Sequence, residues 1–287
     1  MATARKKVSP KQEKSERIQP KRDQLQQLHA EQVHPELVHR ERGVAVVTGG
    51  AGSIGTIICI ALAREGMRVV VGYNRSAEKA ETLAARLPGG GHAALAAPVT
   101  DSAALGTLAG EIGRRYGFCD VLVNCAGTTR FVPHGDLDAL EDGLIDDILA
   151  TNVRGPFAAV RALRPLLEKS TQTGGAVIVN ISSIAAVTAM GSNVIYCASK
   201  AAVDNITKSL ARALAPRIRV VSVSPGVVDN DFIRSMDQRW LEEQVARTPL
   251  KRLSAPDEVA GAVVAAIKHL TFTTGSIIPV DGGRPLS

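Results

Sequence analysis

From Gly43 onward the chain alternates between short, nearly uninterrupted apolar runs and longer stretches whose apolar residues recur every three or four positions. The runs are Val44 to Thr48, Arg68 to Gly72, Ala93 to Ala97, Val121 to Asn124, Ala176 to Ile181, Arg219 to Val223 and Ser276 to Val280. Runs of this length, apolar at successive positions, belong to strands covered on both faces. The stretches between them read as helices, among them Leu144 to Leu167 and Val194 to Leu214. Strands that alternate with helices predict parallel pairing through right-handed crossovers, giving one doubly wound seven-stranded α/β sheet flanked by helices.

Residues 170–199 carry no charged side chain, long enough to raise a membrane span. Asn180, Ser182, Ser183, Thr188, Ser192 and Asn193 interrupt the stretch too often, so it reads as a buried strand, a loop and a helix start.

Residues 1–42 break the pattern. They contain no glycine, while the rest of the chain holds all 26, and their ten Lys/Arg against six Asp/Glu give +4 of the total +6. A charged, Gln-rich segment with few apolar residues buries too little surface to fold alone, so residues 1–22 are expected to be disordered. Leu25, Leu28 and Val33 after Asp23 predict a short helix ending before Pro35. Two domains of unequal kind follow: a basic N-terminal extension, 1–42, and a globular domain, 43–287. The basic residues lack interleaved aromatics, and no apolar segment marks a secretory signal, which argues against a nucleic-acid or membrane partner. The four cysteines show no metal-ligand or disulfide spacing, so no metal is expected and a reducing, cytoplasmic setting fits.

After the first strand comes T-G-G-A-G-S-I-G, Thr48 to Gly55, opening onto an apolar helix. Glycines there let the backbone turn sharply and approach a pyrophosphate, whose charge is met by free N–H groups at the helix N-terminus. The second strand ends in Asn74, Arg75 and Ser76, where NAD-binding chains place a carboxylate. A cation with polar donors suits an adenosine 2′-phosphate, so NADP(H) is expected over NAD(H). Farther on, Tyr196 and Lys200 stand four apart in Y-C-A-S-K and so share a helix face. A free phenol titrates near ~10, and a fixed cation beside it favours the phenolate, making the tyrosine an acid usable near neutral pH.

With T-G-x-x-x-x-x-G at Thr48–Gly55, N-C-A-G at Asn124–Gly127, T-N-V at Thr151–Val153, I-S-S at Ile181–Ser183, Y-x-x-x-K, S-P-G at Ser224–Gly226 and V-D-G-G ending at Gly283, the body resembles the short-chain dehydrogenases/reductases, nearest their 3-oxoacyl-ACP-reductase-like group. The resemblance implies a Rossmann-like fold and a catalytic set of Asn152, Ser183, Tyr196 and Lys200. In that set Ser183 holds the substrate oxygen, Tyr196 exchanges the proton, Lys200 tunes Tyr196 and holds the nicotinamide ribose, and Asn152 orients a water leading to Lys200. The implied cofactor residues are Gly49, Ser53, Ile54, Gly55, Asn74, Arg75, Ser76, Val99, Asn124, Ala126, Gly127, Pro225, Gly226 and Val228, besides Tyr196 and Lys200. Four positions depart from the family pattern: Ser53 for a glycine, Pro98 for an aspartate, Cys125 for an asparagine and Asn230 for a threonine.

Substrate residues are expected on loops at the C-terminal strand ends: Thr128, Arg130, Ala185, Met190 and Phe232, with Val227 to Trp240 as a lid. Arg130 is either a partner for an acidic group on the substrate or a solvated side chain. The resemblance further implies a homotetramer or dimer built on the two long helices. The activity expected is hydride transfer between NADP(H) and a carbonyl or secondary alcohol, with a 3-oxoacyl thioester, a sugar, a steroid or another alcohol as substrate. A non-catalytic NADP-binding regulator is the alternative of another class, and both Tyr196 and Lys200 speak against it.

Overall fold

The computed structural model describes residues 43–286; the expectations placed on residues 1–42 lie outside the described residues, as does the side chain of Phe232. The apolar runs form seven strands: β1 (Val44–Thr48), β2 (Arg68–Tyr73), β3 (Ala93–Ala96), β4 (Val121–Asn124), β5 (Ala176–Ile181), β6 (Ile218–Pro225) and β7 (Ile277–Val280). All pairings are parallel, in the order β3-β2-β1-β4-β5-β6-β7. The order reverses between β1 and β4, and a doubly wound sheet binds its ligand in the crevice at such a reversal.

Strand residues point alternately to the two faces, so each strand serves two cores. Ala45, Val47, Val69, Val71 and Val123 pack with Ile58 and Leu62 of helix α1 (Ser53–Arg64), and the Val259 and Val263 side chains join them from the C-terminal region. On the other face Val46, Val70, Leu122, Ile178 and Val220 meet Leu105, Leu108 and Ile112 of another helix and Leu163 and Leu167 of a third. Many of these side chains have no accessible surface, and each such Val, Leu or Ile is worth roughly 1.5–3 kcal/mol relative to exposure. Helix α2 (Ala77–Arg86) and helix α3 (Ser102–Tyr116) make the next two crossovers.

The stretch Leu144 to Leu167, expected as one helix, is three pieces: α4 (Asp142–Leu149), a π-helical turn (Ala150–Arg154) and α5 (Gly155–Leu167). Pro156 has no N–H to give the Asn152 carbonyl, so the α-helical ladder lapses there. The Gly155 N–H instead bonds the Ala150 carbonyl, five residues back. Gly155 also seats the turn on Val99: a Cβ at this position would lie 2.8 Å from Val99 Cγ2. Beyond β5 come the short α6 (Ala185–Thr188), the long α7 (Val194–Leu214), α8 (Asp231–Arg234), α9 (Gln238–Arg247) and α10 (Pro256–Lys268). Among the described residues no helix is long and apolar enough to cross a membrane, and no group of His, Cys, Asp or Glu is placed to hold a metal ion.

Candidate active site

The register sets the C-terminal ends of β1, β4 and β5 level, with Thr48 beside Asn124 and Asn124 beside Asn180. The Thr48 hydroxyl accepts from the Cys125 and Ala126 N–H groups at 3.2 and 3.3 Å, tying the two loops at the crevice together. Over these ends opens one cavity of about 1100 Å³.

Its phosphate end is built of backbone. Gly49 takes φ +66°, and a Cβ on Gly55 would stand 2.2 Å from the Gly49 carbonyl oxygen, so the loop folds onto the start of α1 where side chains have no room. The first turn of α1 holds no acidic residue, and its N–H groups face the crevice without helical partners. Gly49, Ser53, Ile54 and Gly55 all line the cavity, and Ser53 sits exposed at the first helical position. Asn74, Arg75 and Ser76 line it just after β2, all three exposed, while Val99 lines it from the loop after β3. This loop, an acid-free helix start and a cation beyond them fit a dinucleotide pyrophosphate and a further phosphate.

The other end gathers a hydroxyl, a phenol and an ammonium. Asn193 caps α7, its Oδ1 accepting the Tyr196 N–H at 2.7 Å, while its Nδ2 donates to the Arg130 carbonyl at 2.8 Å. This buried cap fixes how α7 presents Tyr196 and Lys200. Lys200 is buried, donates to the Ile181 carbonyl at 2.8 Å, and its ammonium lies 5.7 Å from the centre of the Tyr196 ring. Ser183, Tyr196 and Lys200 share the cavity wall. The Ser183 hydroxyl accepts from the Ala185 N–H at 3.2 Å, leaving its own proton to be donated.

Asn152 is buried in the π-helical turn and does not line the cavity. Its Oδ1 accepts the Thr128 N–H at 2.8 Å; its Nδ2 donates to the Thr128 carbonyl at 3.0 Å and to Ser199 Oγ at 3.1 Å. The side chain thus clamps the loop after β4, and a Cβ on Gly127 would fall 3.5 Å from Asn152 Oδ1 and 3.9 Å from Lys200 Nζ.

Ala126, Gly127, Pro225, Gly226 and Val228 line the cavity, as do Thr128 and Met190. Asn124 does not: its amide is buried and donates to Asn180 Oδ1 at 2.8 Å, and Asn180 in turn donates to Thr207 Oγ1 at 2.8 Å. Arg130 is exposed, does not line the cavity, and donates to the Ala139 carbonyl at 2.8 Å; Ala185 is buried beneath the wall. Phe232 lies on α8. Asn230 lines the cavity and also caps α8, its Oδ1 accepting the Ile233 N–H at 3.0 Å. Burial pushes the Cys125 thiol up to about 11 and raises Cys197 as well, so neither is a ready thiolate.

Sequence reasoning placed Asn193 at the end of a candidate substrate loop, Ala185 to Asn193, but missed its capping role, although an Asn just ahead of an apolar helix is a cap signal. Trp240, the end of the expected lid, is on the wall, together with Gln244 and Arg247 of α9 and Arg284 near the C-terminus, which sequence reasoning missed. Arg284 is buried, donating to the Gln244 carbonyl at 3.3 Å and Gln244 Oε1 at 2.9 Å. Burial, then the neighbouring positive charge of Arg247, lowers its pKa from the ordinary arginine value.

Comparison with known proteins places this geometry. The family model described as enoyl-(acyl carrier protein) reductase matches residues 49–284. The ketoacyl reductase 2 of the granaticin polyketide synthase of Streptomyces violaceoruber is 38% identical over 86% of this chain and 97% of its own length. A 3-oxoacyl-[acyl-carrier-protein] reductase of Staphylococcus aureus is 34% identical over 83% and 96%. The solved structure of a gluconate 5-dehydrogenase from Burkholderia cenocepacia, in complex with NADP and tartrate, superposes with a TM-score of 0.79 at 29% identity, covering 86% of this chain and 97% of that one. The chain is a member of the short-chain dehydrogenase/reductase superfamily, in its 3-oxoacyl-ACP-reductase-like group, and an NAD(P)-dependent oxidoreductase.

Proposed function

We propose that the chain reduces a carbonyl, or oxidises the corresponding secondary alcohol, with NADP(H), through Ser183, Tyr196 and Lys200. The observation that carries this reading is that these three side chains line the same cavity as the glycine loop and Arg75. Gly49, Ser53, Ile54 and Gly55 would hold the pyrophosphate, Arg75 with Asn74 and Ser76 the 2′-phosphate, and Ala126, Gly127, Pro225, Gly226 and Val228 the nicotinamide half. When bound, the nicotinamide supplies or accepts the hydride.

The chain's own residues then handle the proton and the charge. Ser183 donates its hydroxyl hydrogen to the substrate oxygen and orients it. Tyr196 gives its proton to that oxygen in reduction, or takes it in oxidation. Two donors converging on the oxygen stabilise the negative charge it develops. The buried Lys200 ammonium faces the phenolate formed in the transfer, and its bond to the Ile181 carbonyl keeps it from swinging away. Asn152 holds the Thr128 loop against this centre.

A 3-oxoacyl thioester is the first substrate class, from the ketoacyl-reductase relatives. A sugar acid or polyol is the second, favoured by the gluconate 5-dehydrogenase neighbour. The division into an appended segment 1–42 and a domain 43–287 belongs to the same proposal, as does a homotetramer or dimer. Phe157 on α5 and Val194 on α7 are exposed apolar side chains on the helices that would meet. Following NADPH oxidation over 3-oxoacyl thioesters, keto sugars and simple ketones, with NADH in parallel, tests the reading; no oxidation with any of them contradicts it.

A further inference from the structure

Arg130, readable from the sequence either as an anion partner or as a solvated side chain, is exposed and does not line the cavity, yet the wall carries two other arginines for which the hydride-transfer machinery has no use. Among the described residues lining it the formal charges are Arg75, Lys200, Arg247 and Arg284 against Asp147. Arg75 belongs to the phosphate end and Lys200 to the proton-transfer centre. That leaves Arg247, the last residue of α9, and Arg284, which opens the 3-10 turn Arg284–Leu286.

Their surroundings place them toward the substrate rather than the adenosine. The Gly226 N–H bonds the Val280 carbonyl at 2.9 Å, and a Cβ on Gly226 would lie 3.0 Å from Asp281 Cα. The segment leading into Arg284 is therefore laid against the Pro225–Gly226 turn. The α9 residues on the wall, Trp240, Gln244 and Arg247, come from the expected lid and its continuation. Gln244 links the two segments: buried on the same helix as Arg247, it accepts Arg284 through both its carbonyl and its side-chain oxygen. Glu243, which pairs with Arg247, is the carboxylate that acts on Arg284 besides the Arg247 cation. Both arginines are on the cavity wall, and the planar fork of arginine suits carboxylate and phosphate oxygens.

We propose that Arg247 and Arg284 form an anion pocket at the substrate end of the cavity, and that the substrate is a carbonyl compound or alcohol bearing a carboxylate or phosphate group. The inference rests on the reading of the cavity as a carbonyl reductase site, but its test does not. Trp240 is the chain's single tryptophan and lines the same wall, so its emission reports binding without turnover.

The experiment titrates the full-length protein, loaded with NADP⁺, with acetoacetate, acetonyl phosphate and, as the neutral match, methyl acetoacetate. Trp240 emission and isothermal calorimetry follow binding in parallel. Acetoacetate or acetonyl phosphate should bind saturably and the ester about tenfold or more weakly, with the stronger of the two anions naming the group. Arg247→Gln and Arg284→Gln should each remove that preference, and Arg284→Lys should restore part of it. Should Arg284→Gln fail to fold by circular dichroism, Arg247→Gln, at an exposed helix end, decides. Equal binding of acid and ester, no binding of any probe, or an undiminished preference in Arg247→Gln overturns the proposal. Anion binding without turnover of any carbonyl would keep the pocket and remove the reductase reading; turnover of neutral ketones with no charge preference would do the reverse.

Discussion

Gly55→Ala perturbs the phosphate loop at its tightest point. The added Cβ would lie 2.2 Å from the Gly49 carbonyl oxygen and 2.9 Å from Gly50 Cα, both backbone atoms, where ordinary contact begins at 3.4 Å. The Gly49 carbonyl must therefore retreat by about 1.2 Å. It cannot do so freely, because Gly49 is packed on Ala126 and its carbonyl accepts the Gly52 N–H at 3.0 Å. Overpacking of this kind costs about 1–3 kcal/mol, and stretching one hydrogen bond about 1 more. Gly55 lies within α1, so alanine returns about 1 kcal/mol of helix propensity. The net loss is about 1–3 kcal/mol, or roughly 3–10 °C in Tm for a domain of this size. Opening the loop also misplaces the N–H groups meant for phosphate, at about 1.5–3 kcal/mol for each charged hydrogen bond lost, so NADPH should bind ten- to a hundred-fold more weakly. Thermal unfolding by circular dichroism and NADPH fluorescence titration read both effects. Gly106→Ala on α3, where nothing lies within 4 Å of the new Cβ, is the control and should be neutral or slightly stabilising. A Gly55→Ala protein with unchanged Tm and unchanged NADPH affinity would refute the packing argument.

Three further outcomes follow from other residues. Arg75→Glu should lower kcat/KM with NADPH and raise it with NADH, reversing the preference in paired steady-state assays; a retained NADPH preference counts against the 2′-phosphate role. Asn152→Ala strips the Thr128 N–H of its acceptor and Ser199 of a donor, and should cost about 1–3 kcal/mol in urea unfolding together with much of the turnover. The Arg252 guanidinium, with the Ala255 N–H, holds Glu258 down at about 2 from its ordinary 4.5. An acid depressed in the fold contributes stability above its ordinary pKa and loses it as pH falls through the folded value. Glu258→Gln should therefore be less stable than the parent at pH 6, with the gap closing toward pH 2; a gap constant from pH 6 to pH 2 would show that the carboxylate is not the source.

The inner strands were legible because burial on both faces leaves a nearly unbroken apolar run, whereas the edge strands β3 and β7 are only partly buried. The break in Leu144 to Leu167 was not, since apolar periodicity runs through the π-helical turn, although Gly155-Pro156 marked it for a reader asking which carbonyl loses its donor. The phosphate loop and the Tyr196–Lys200 face were readable because each is local: a strand-to-helix turn and an i, i+4 pair. Asn124 shows the limit of a motif, which names a residue without saying where its amide turns, here onto Asn180. Arg247 and Arg284 were out of reach for a different reason. They come to the cavity only through the fold of the last forty residues, and no spacing in the chain records that return.

The account turns on the Tyr196 hydroxyl as the group that exchanges the proton with the substrate oxygen. Tyr196→Phe keeps the ring, its contact with Lys200 and the Asn193 cap, and removes one oxygen. Turnover and NADPH binding measured on the same preparation should show kcat down by about 10²–10⁴-fold with NADPH affinity nearly unchanged. Turnover within a few-fold of the parent would contradict the claim.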